Sequence, residues 1–250
     1  HRQKDHSRHE GPIGSMRYFR NFEPPPDLVN SGGDWRHEYA DYLGSCHSID
    51  TNLGRLLDEL IWLGMVRDTV VVFTSDHGSH FRTRNAEYKR SCHDASIRVP
   101  LVITGPGFKA PHGARRAAGE TPAAFQPRVV SELVSLMDLP PTLLTVAGLT
   151  PPPAMRGRPL QQLLGPTPPA DWPQEVFVQI SEDHCGRAVR TRRWKYSVRG
   201  LHVTGADPAA ETYVEDCLYD LAADPHEQTN LVADPAYAAV RAELAETLKR

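Results

Sequence analysis

Residues 69–78 read TVVVFTSDHG, and residues 99–107 read VPLVITGPG. The first is an apolar run with strand character that stops in an Asp-His-Gly turn. The second closes on Gly-Pro-Gly. An apolar strand without polar alternation is what a parallel sheet with both faces covered requires. Upstream, residues 37–64 place Tyr39, Tyr42, Cys46, Ile49, Leu53, Leu56, Leu60 and Leu63 at spacings of three and four. That spacing predicts a long helix with one continuous apolar face, capped by Asp34 and stopped by Gly64. Helix, short link and apolar strand form half of a βαβ crossover, and residues 99–103 read as a second strand of the same kind. The expected fold class is therefore α/β, a mostly parallel sheet between helix layers.

Beyond residue 128 the pattern changes. Residues 129–148 predict a helix capped by Asp138, with Pro140 and Pro141 in its first turn and its end at Gly148. A proline-rich connector spans 151–172. Short strands at 175–180, 187–191, 194–198 and 217–221, separated by turn residues, predict an antiparallel sheet. Residues 233–250 read as a terminal helix on Val240, Leu244 and Leu248. The chain divides into an α/β part over 1–165 and a small α+β subdomain over 166–250. Residues 1–33, with Pro24, Pro25, Pro26, Gly32 and Gly33, read as a long surface loop.

The 250 residues carry 28 Lys and Arg against 31 Asp and Glu, a formal net charge of −3. Such a balance gives no general attraction to nucleic acid or to anionic membranes, and neither is expected as a partner. No run approaches the length of a membrane-spanning helix. The four cysteines, Cys46, Cys92, Cys185 and Cys217, form no CxxC pair. That spacing disfavours a structural zinc site and excludes a dense disulfide framework; isolated thiols are the simpler reading, with one or two disulfides left open. The chain opens on His1 without Met or signal peptide, which reads as an internal start. For the parent protein we expect the periplasm or secretion.

Ligands of open α/β sheets sit beyond the carboxyl ends of the strands, and residues 75–80 lie at such an end. Asp76 and His77 there offer a carboxylate and an imidazole to a metal ion; a turn in which Asp caps and His packs is the alternative. Lys89 offers a point charge to an anionic oxygen, or else is a solvated loop lysine. His93 offers a proton to a leaving group or a hydrogen bond to substrate, or else is structural. His80, Arg82 and Arg84 enrich the same loop in positive charge, which suits an anionic substrate or simply a solvated face. His1, His6 and His9 lack a ligand spacing and read as exposed.

Taken in order, TVVVFTSDHG, EYKRSCHDASIRVPLVITGPGF, LVSLMDLPPTLLTVAGL, PPPAMRGRPL, RTRRWKYSV and CLYDLAADPHEQTNLV resemble the landmarks of type I sulfatases, in the alkaline phosphatase superfamily. The resemblance runs from about residue 38 to 231. It implies an alkaline phosphatase-like fold, one Ca2+ held by Asp76 and His77 with further ligands upstream, sulfate contact by Lys89, and a sulfated small molecule or glycan as substrate. Family members use a formylglycine nucleophile made from a Cys/Ser-x-Pro/Ala-x-Arg motif. No such motif occurs here: Cys46 is followed by HSID, Cys92 by HDAS, Cys185 by GRAV and Cys217 by LYDL. The expected reading is the carboxy-terminal half of a sulfatase, inactive alone. Competing readings are a phosphodiesterase or phosphonate hydrolase of the same superfamily, a two-zinc phosphatase, and a non-catalytic binder of sulfated glycans.

Overall fold

The computed structural model describes residues 24–29, 31–33, 35–108 and 128–249. The expectations for His1, His6, His9 and the Asp34 cap, with most of the loops expected over 1–33 and 105–127, fall outside these residues. Among the described residues the helices are α1 (Pro26–Val29), α2 (Trp35–Trp62), α3 (Asp94–Ile97), α4 (Leu139–Val146) and α5 (Ala238–Leu248). The strands are β1 (Val71–Thr74), β2 (Leu101–Thr104), β3 (Glu175–Ile180), β4 (Gly186–Thr191), β5 (Trp194–Gly200) and β6 (Tyr213–Asp220).

Helix α2 follows the predicted apolar periodicity and ends where glycine permits. Gly64 takes φ +71°, a left-handed conformation that residues with a Cβ adopt at a cost. The Met65 amide donates to the Leu60 carbonyl at 2.9 Å and the Gly64 amide to Ile61 at 3.0 Å, which satisfies the last carbonyls and turns the chain toward β1. The apolar stripe is only partly covered. Trp35 and Tyr39 pack with Leu28 and Phe81, while Ile49, Leu56 and Trp62 are exposed.

Strands β1 and β2, expected within a mostly parallel sheet, pair with each other antiparallel, from Val71 opposite Thr104 to Thr74 opposite Leu101. The reason lies in the connection. A parallel neighbour needs a crossover, usually a helix of several turns, whereas residues 75–100 contain only the single turn α3. The chain therefore folds back on itself as a loop. All four β1 residues are half-buried, and Val102 of β2 is 57% exposed.

Asp138 does not cap α4 with its side chain. Instead it closes a capping box on the preceding 3-10 turn, accepting from the Ser135 amide at 2.8 Å. Its other oxygen accepts from the Arg158 amide at 2.8 Å, which pins the proline-rich connector against α4. Leu160, Leu163 and Trp172 of that connector then pack onto Leu101 and Ile103 of β2.

Strands β3 to β6 form an antiparallel sheet in sequence order. The predicted strands match closely, except that β6 begins at Tyr213, four residues before its expected start. Side chains alternate across the sheet as the pleat demands. Val189, Tyr196 and Leu218 face α5 and its Leu244. Ala188, Cys217 and Tyr219 face the other way and pack with Cys92 of the 75–100 loop. One face thus carries the terminal helix, and the other carries the loop that follows the Asp-His turn.

Candidate active site

The turn after β1 is built by its own short hydrogen bonds. The Ser75 hydroxyl donates to the His77 carbonyl at 2.8 Å, and the His77 amide donates to Asp76 Oδ1 at 3.0 Å. Gly78 is required by close approach: a Cβ there would sit 2.1 Å from the Ala95 carbonyl oxygen, and the Gly78 amide donates to the Ser96 carbonyl at 2.8 Å. The turn is thereby seated against α3.

Asp76, His77 and Lys89 come together. His77 Nδ1 lies 2.8 Å from the Gly78 carbonyl, an acceptor only, so Nδ1 carries the hydrogen and Nε2 presents its lone pair. Lys89 Nζ donates to that Nε2 at 2.8 Å, and Asp76 Oδ2 lies 3.3 Å from it. The Asp76 side chain is largely exposed and His77 partly so. A carboxylate oxygen and an oriented imidazole nitrogen side by side suit one divalent ion. Among the described residues no cluster of three or more His, Cys, Asp or Glu forms a metal site. These two groups therefore fit a metal as part of a ligand set and do not complete one.

Lys89 is set by its backbone. His80 is fully buried; its amide donates to the Tyr88 carbonyl at 2.9 Å, and its Nε2 reaches the Lys89 carbonyl at 3.1 Å. Asn85 Nδ2 donates to the Lys89 and Arg90 carbonyls at 3.3 and 3.2 Å. Burial lowers the His80 pKa below the usual histidine range, so the ring is neutral. Phe81, Arg82 and Arg90 all take positive φ in this loop, backbone strain that the surrounding contacts hold in place.

His93 does not join the cluster of Asp76, His77 and Lys89. Its Nδ1 lies 3.1 Å from the Ser91 hydroxyl and its Nε2 lies 3.2 Å from the Tyr219 hydroxyl. Burial, with the nearby charges of Arg84 and Lys195, pulls its pKa down to about 3. Around neutral pH the ring carries one proton and both nitrogens have partners, a geometry suited to positioning the loop on β6. The proton-donor expectation for His93 finds no support in this arrangement.

The sequence reading missed the cluster that holds this loop. Lys195, fully buried on the loop-facing side of β5, donates to Asp94 Oδ1 and to Glu227 Oε1, each at 2.5 Å. Arg190 donates Nε and Nη2 to the two Asp94 oxygens at 3.1 and 3.0 Å, and Glu227 Oε2 accepts from the Asp94 amide at 2.7 Å. Arg84 donates to the Glu227 and His226 carbonyls at 2.7 and 2.8 Å. Burial alone would raise the Asp94 carboxyl, but Arg190 and Lys195 bring it down to about 2. For Glu227 burial prevails and raises the pKa, with Lys195 opposing. The signal available in the sequence was parity: Arg190, Lys195, Ser197 and Cys217 share the sheet face of Ala188 through their pairing. In RTRRWKY that parity is hidden among neighbouring surface cations.

Comparison with known proteins identifies the family. The sulfatase family model matches residues 5–149, and the model of the N-sulphoglucosamine sulphohydrolase C-terminal region matches 86–250. The chain belongs to the sulfatase family of the alkaline phosphatase superfamily. It is 32% identical to mouse (Mus musculus) arylsulfatase K over 206 residues, covering 78% of this chain and 32% of that protein. It is 33% identical to the multifunctional alkaline phosphatase superfamily protein PehA of Trinickia caryophylli, covering 83% and 39%. The chain thus spans about a third to two fifths of these relatives' lengths. Among solved structures, a protein in complex with its substrate D-glucosamine-2-N,6-O-disulfate is 25% identical with TM-score 0.65, covering 86% of this chain and 40% of that one. The phosphonate monoester hydrolase of Agrobacterium radiobacter is 30% identical with TM-score 0.64, covering 84% and 40%. These likenesses support the alkaline phosphatase-like class expected from the sequence.

Proposed function

We propose that this chain is the carboxy-terminal part of a sulfuric ester hydrolase, contributing Asp76 and His77 to a Ca2+ site and Lys89 to the bound sulfate. The observation that carries the reading is the convergence of these three groups on His77 Nε2 at the end of β1, within the region matched to the sulfatase family. A bound divalent ion would supply Lewis-acid polarisation of a sulfate oxygen. The residues of this chain do the rest of what this half contributes. Gly78 accepts the Nδ1 hydrogen and so fixes the tautomer of His77. His80 and Asn85 hold the Lys89 backbone, so the ammonium meets an anion without reorganising. A sulfated small molecule or glycan is the substrate class, in keeping with the disulfated glucosamine bound by one structural relative. The sequence holds no formylglycine motif, so the nucleophile has to come from elsewhere in the parent protein.

A second reading is phosphonate monoester hydrolysis, favoured by the 30% identity to the Agrobacterium enzyme. The test compares sulfate and phosphonate monoesters of one leaving group on the parent protein, with and without Asp76→Ala. We expect sulfate ester turnover that falls at least about 100-fold in the variant. Phosphonate turnover that depends on Asp76, without sulfate turnover, would replace the sulfatase reading with the second.

A further inference from the structure

Cys92 and Cys217 are distant in sequence and adjacent in space. Cys92 lies in the 75–100 loop, three residues after Lys89, and Cys217 lies on the loop-facing side of β6. Their sulfur atoms are 3.6 Å apart, and both residues are buried. Cys46 is exposed, and Cys185 lies near the Tyr213 hydroxyl, so neither approaches this pair in the same way. The Ser197 hydroxyl, 2.9 Å from Cys217 Sγ, holds that sulfur from the neighbouring strand. Both cysteines also line a cavity of about 270 Å³ between the loop and the sheet, with Arg84, His93 and Arg199 on its wall. A small polar oxidant therefore has room beside the two sulfurs.

We propose that Cys92 and Cys217 are a redox pair whose oxidation by a hydroperoxide joins the Lys89 loop to β6 through a disulfide. The chemistry needs two thiols and one peroxide. The Cys92 sulfur attacks a peroxide oxygen and the O–O bond breaks; with hydrogen peroxide, the thiol proton passes to the departing hydroxide, which leaves as water, and Cys92 becomes a sulfenic acid. The Cys217 sulfur then attacks the Cys92 sulfur. The S–O bond breaks and hydroxide leaves with the Cys217 proton as a second water. Two electrons have passed from the sulfur pair to the peroxide. Hydrogen bonding from Cys217 draws the Cys92 thiol below its usual range despite burial, which suits Cys92 to the first step. An S–S bond is about 2 Å long, so the sulfurs must close the remaining gap. Cys92 stands on an irregular bend, and the adjustment falls there, not on the sheet.

The bond would close a loop across 125 positions of sequence. Constraining the unfolded chain over so long a loop raises Tm by roughly 10 °C. It also ties the segment carrying Lys89 to the sheet that already holds it through Lys195.

The experiment uses the parent protein, reduced, freed of reductant and treated with excess hydrogen peroxide. Trypsin places the four cysteines of this chain on separate peptides, with Cys92 in 91–98 and Cys217 in 200–241. We expect a linked 91–98/200–241 species that dithiothreitol abolishes, with Tm higher in the oxidised protein. Cys92→Ser and Cys217→Ser should each show neither effect; the wild-type peptide map stands alone if either variant fails to fold. Recovery of both cysteines as free thiols, Cys92 over-oxidised without linkage, or linkage to Cys46 or Cys185 overturns the proposal. So does a linked pair with unchanged Tm.

Discussion

Lys89 belongs to the 75–100 loop and Lys195 holds that loop from β5, and the two do opposite things with their charge. Lys89 donates to His77 Nε2 at the rim of an exposed turn, beside a largely exposed Asp76. Lys195 is fully removed from water and paired with both Asp94 and Glu227. The first arrangement leaves charge available to a ligand. The second consumes it internally, where a missing partner would leave an uncompensated buried ion. The same contrast runs through the two sheets. The β3–β6 sheet is covered on one face by α5 and on the other by the loop. The β1–β2 pair and α2 keep large apolar side chains exposed.

Breaking the contrast at its buried end gives the largest effect. Lys195→Met keeps the side-chain volume and leaves the buried Glu227 carboxylate without its cation, while Asp94 keeps Arg190, so thermal or denaturant unfolding should show a loss of about 3–5 kcal/mol. A loss under about 1 kcal/mol would mean that water or a proton already relieves this cluster. At the exposed end the order reverses. Lys89→Ala should leave Tm within about 2 °C of the wild type. Steady-state kinetics of the parent enzyme should show kcat/KM reduced about 100- to 1,000-fold. Equal losses of stability and activity would erase the distinction between the two lysines.

Acid unfolding sharpens the comparison further. The Asp94 carboxyl lies at about 2 in the folded protein against an ordinary 3.8. A depressed pKa contributes stability that is complete above the unfolded value and lost as pH falls through the folded one. The expected contribution is about 2 kcal/mol, disappearing between roughly pH 4 and 2. Glu227, raised by burial, acts with the opposite sign, since its protonated form is the one the fold favours as pH falls. Stability measured against pH should therefore fall less steeply below pH 4 in Asp94→Asn, whatever the offset at neutral pH. An unchanged slope would remove Asp94 as the source. The smallest effect belongs to His93→Gln, which retains a hydrogen-bonding side chain between Ser91 and Tyr219. We expect kcat/KM within about threefold and the same pH profile, whereas loss of a general acid costs about 100-fold or more.

Much of this was legible in the sequence because it is local. The stop of α2 at Gly64, the four strands of the second sheet and the Asp-His pair at the end of β1 all follow from periodicity and turn chemistry within a few residues. The antiparallel pairing of β1 with β2 was not legible, since an apolar run looks alike in either direction and the 75–100 connection had to be seen folding back. For the same reason the sequence left two readings of His93 open, a reacting group and a structural one. Its neighbours in sequence suggested a reacting loop, but its proton is governed by Tyr219, Arg84 and Lys195, none of which is local to it.

By itself the sequence determined the family, the Asp-His-Gly turn after β1 and the lack of a formylglycine motif in this chain, because each is written as residue types at fixed short spacing. Only the tertiary structure decided what each charge does. Whether Lys89 faces a ligand and Lys195 faces two carboxylates depends on burial and on partners drawn from distant segments. The meeting of Cys92 with Cys217 belongs to the same category. Desolvation and contact are properties of the folded surface, and no spacing along the chain encodes them.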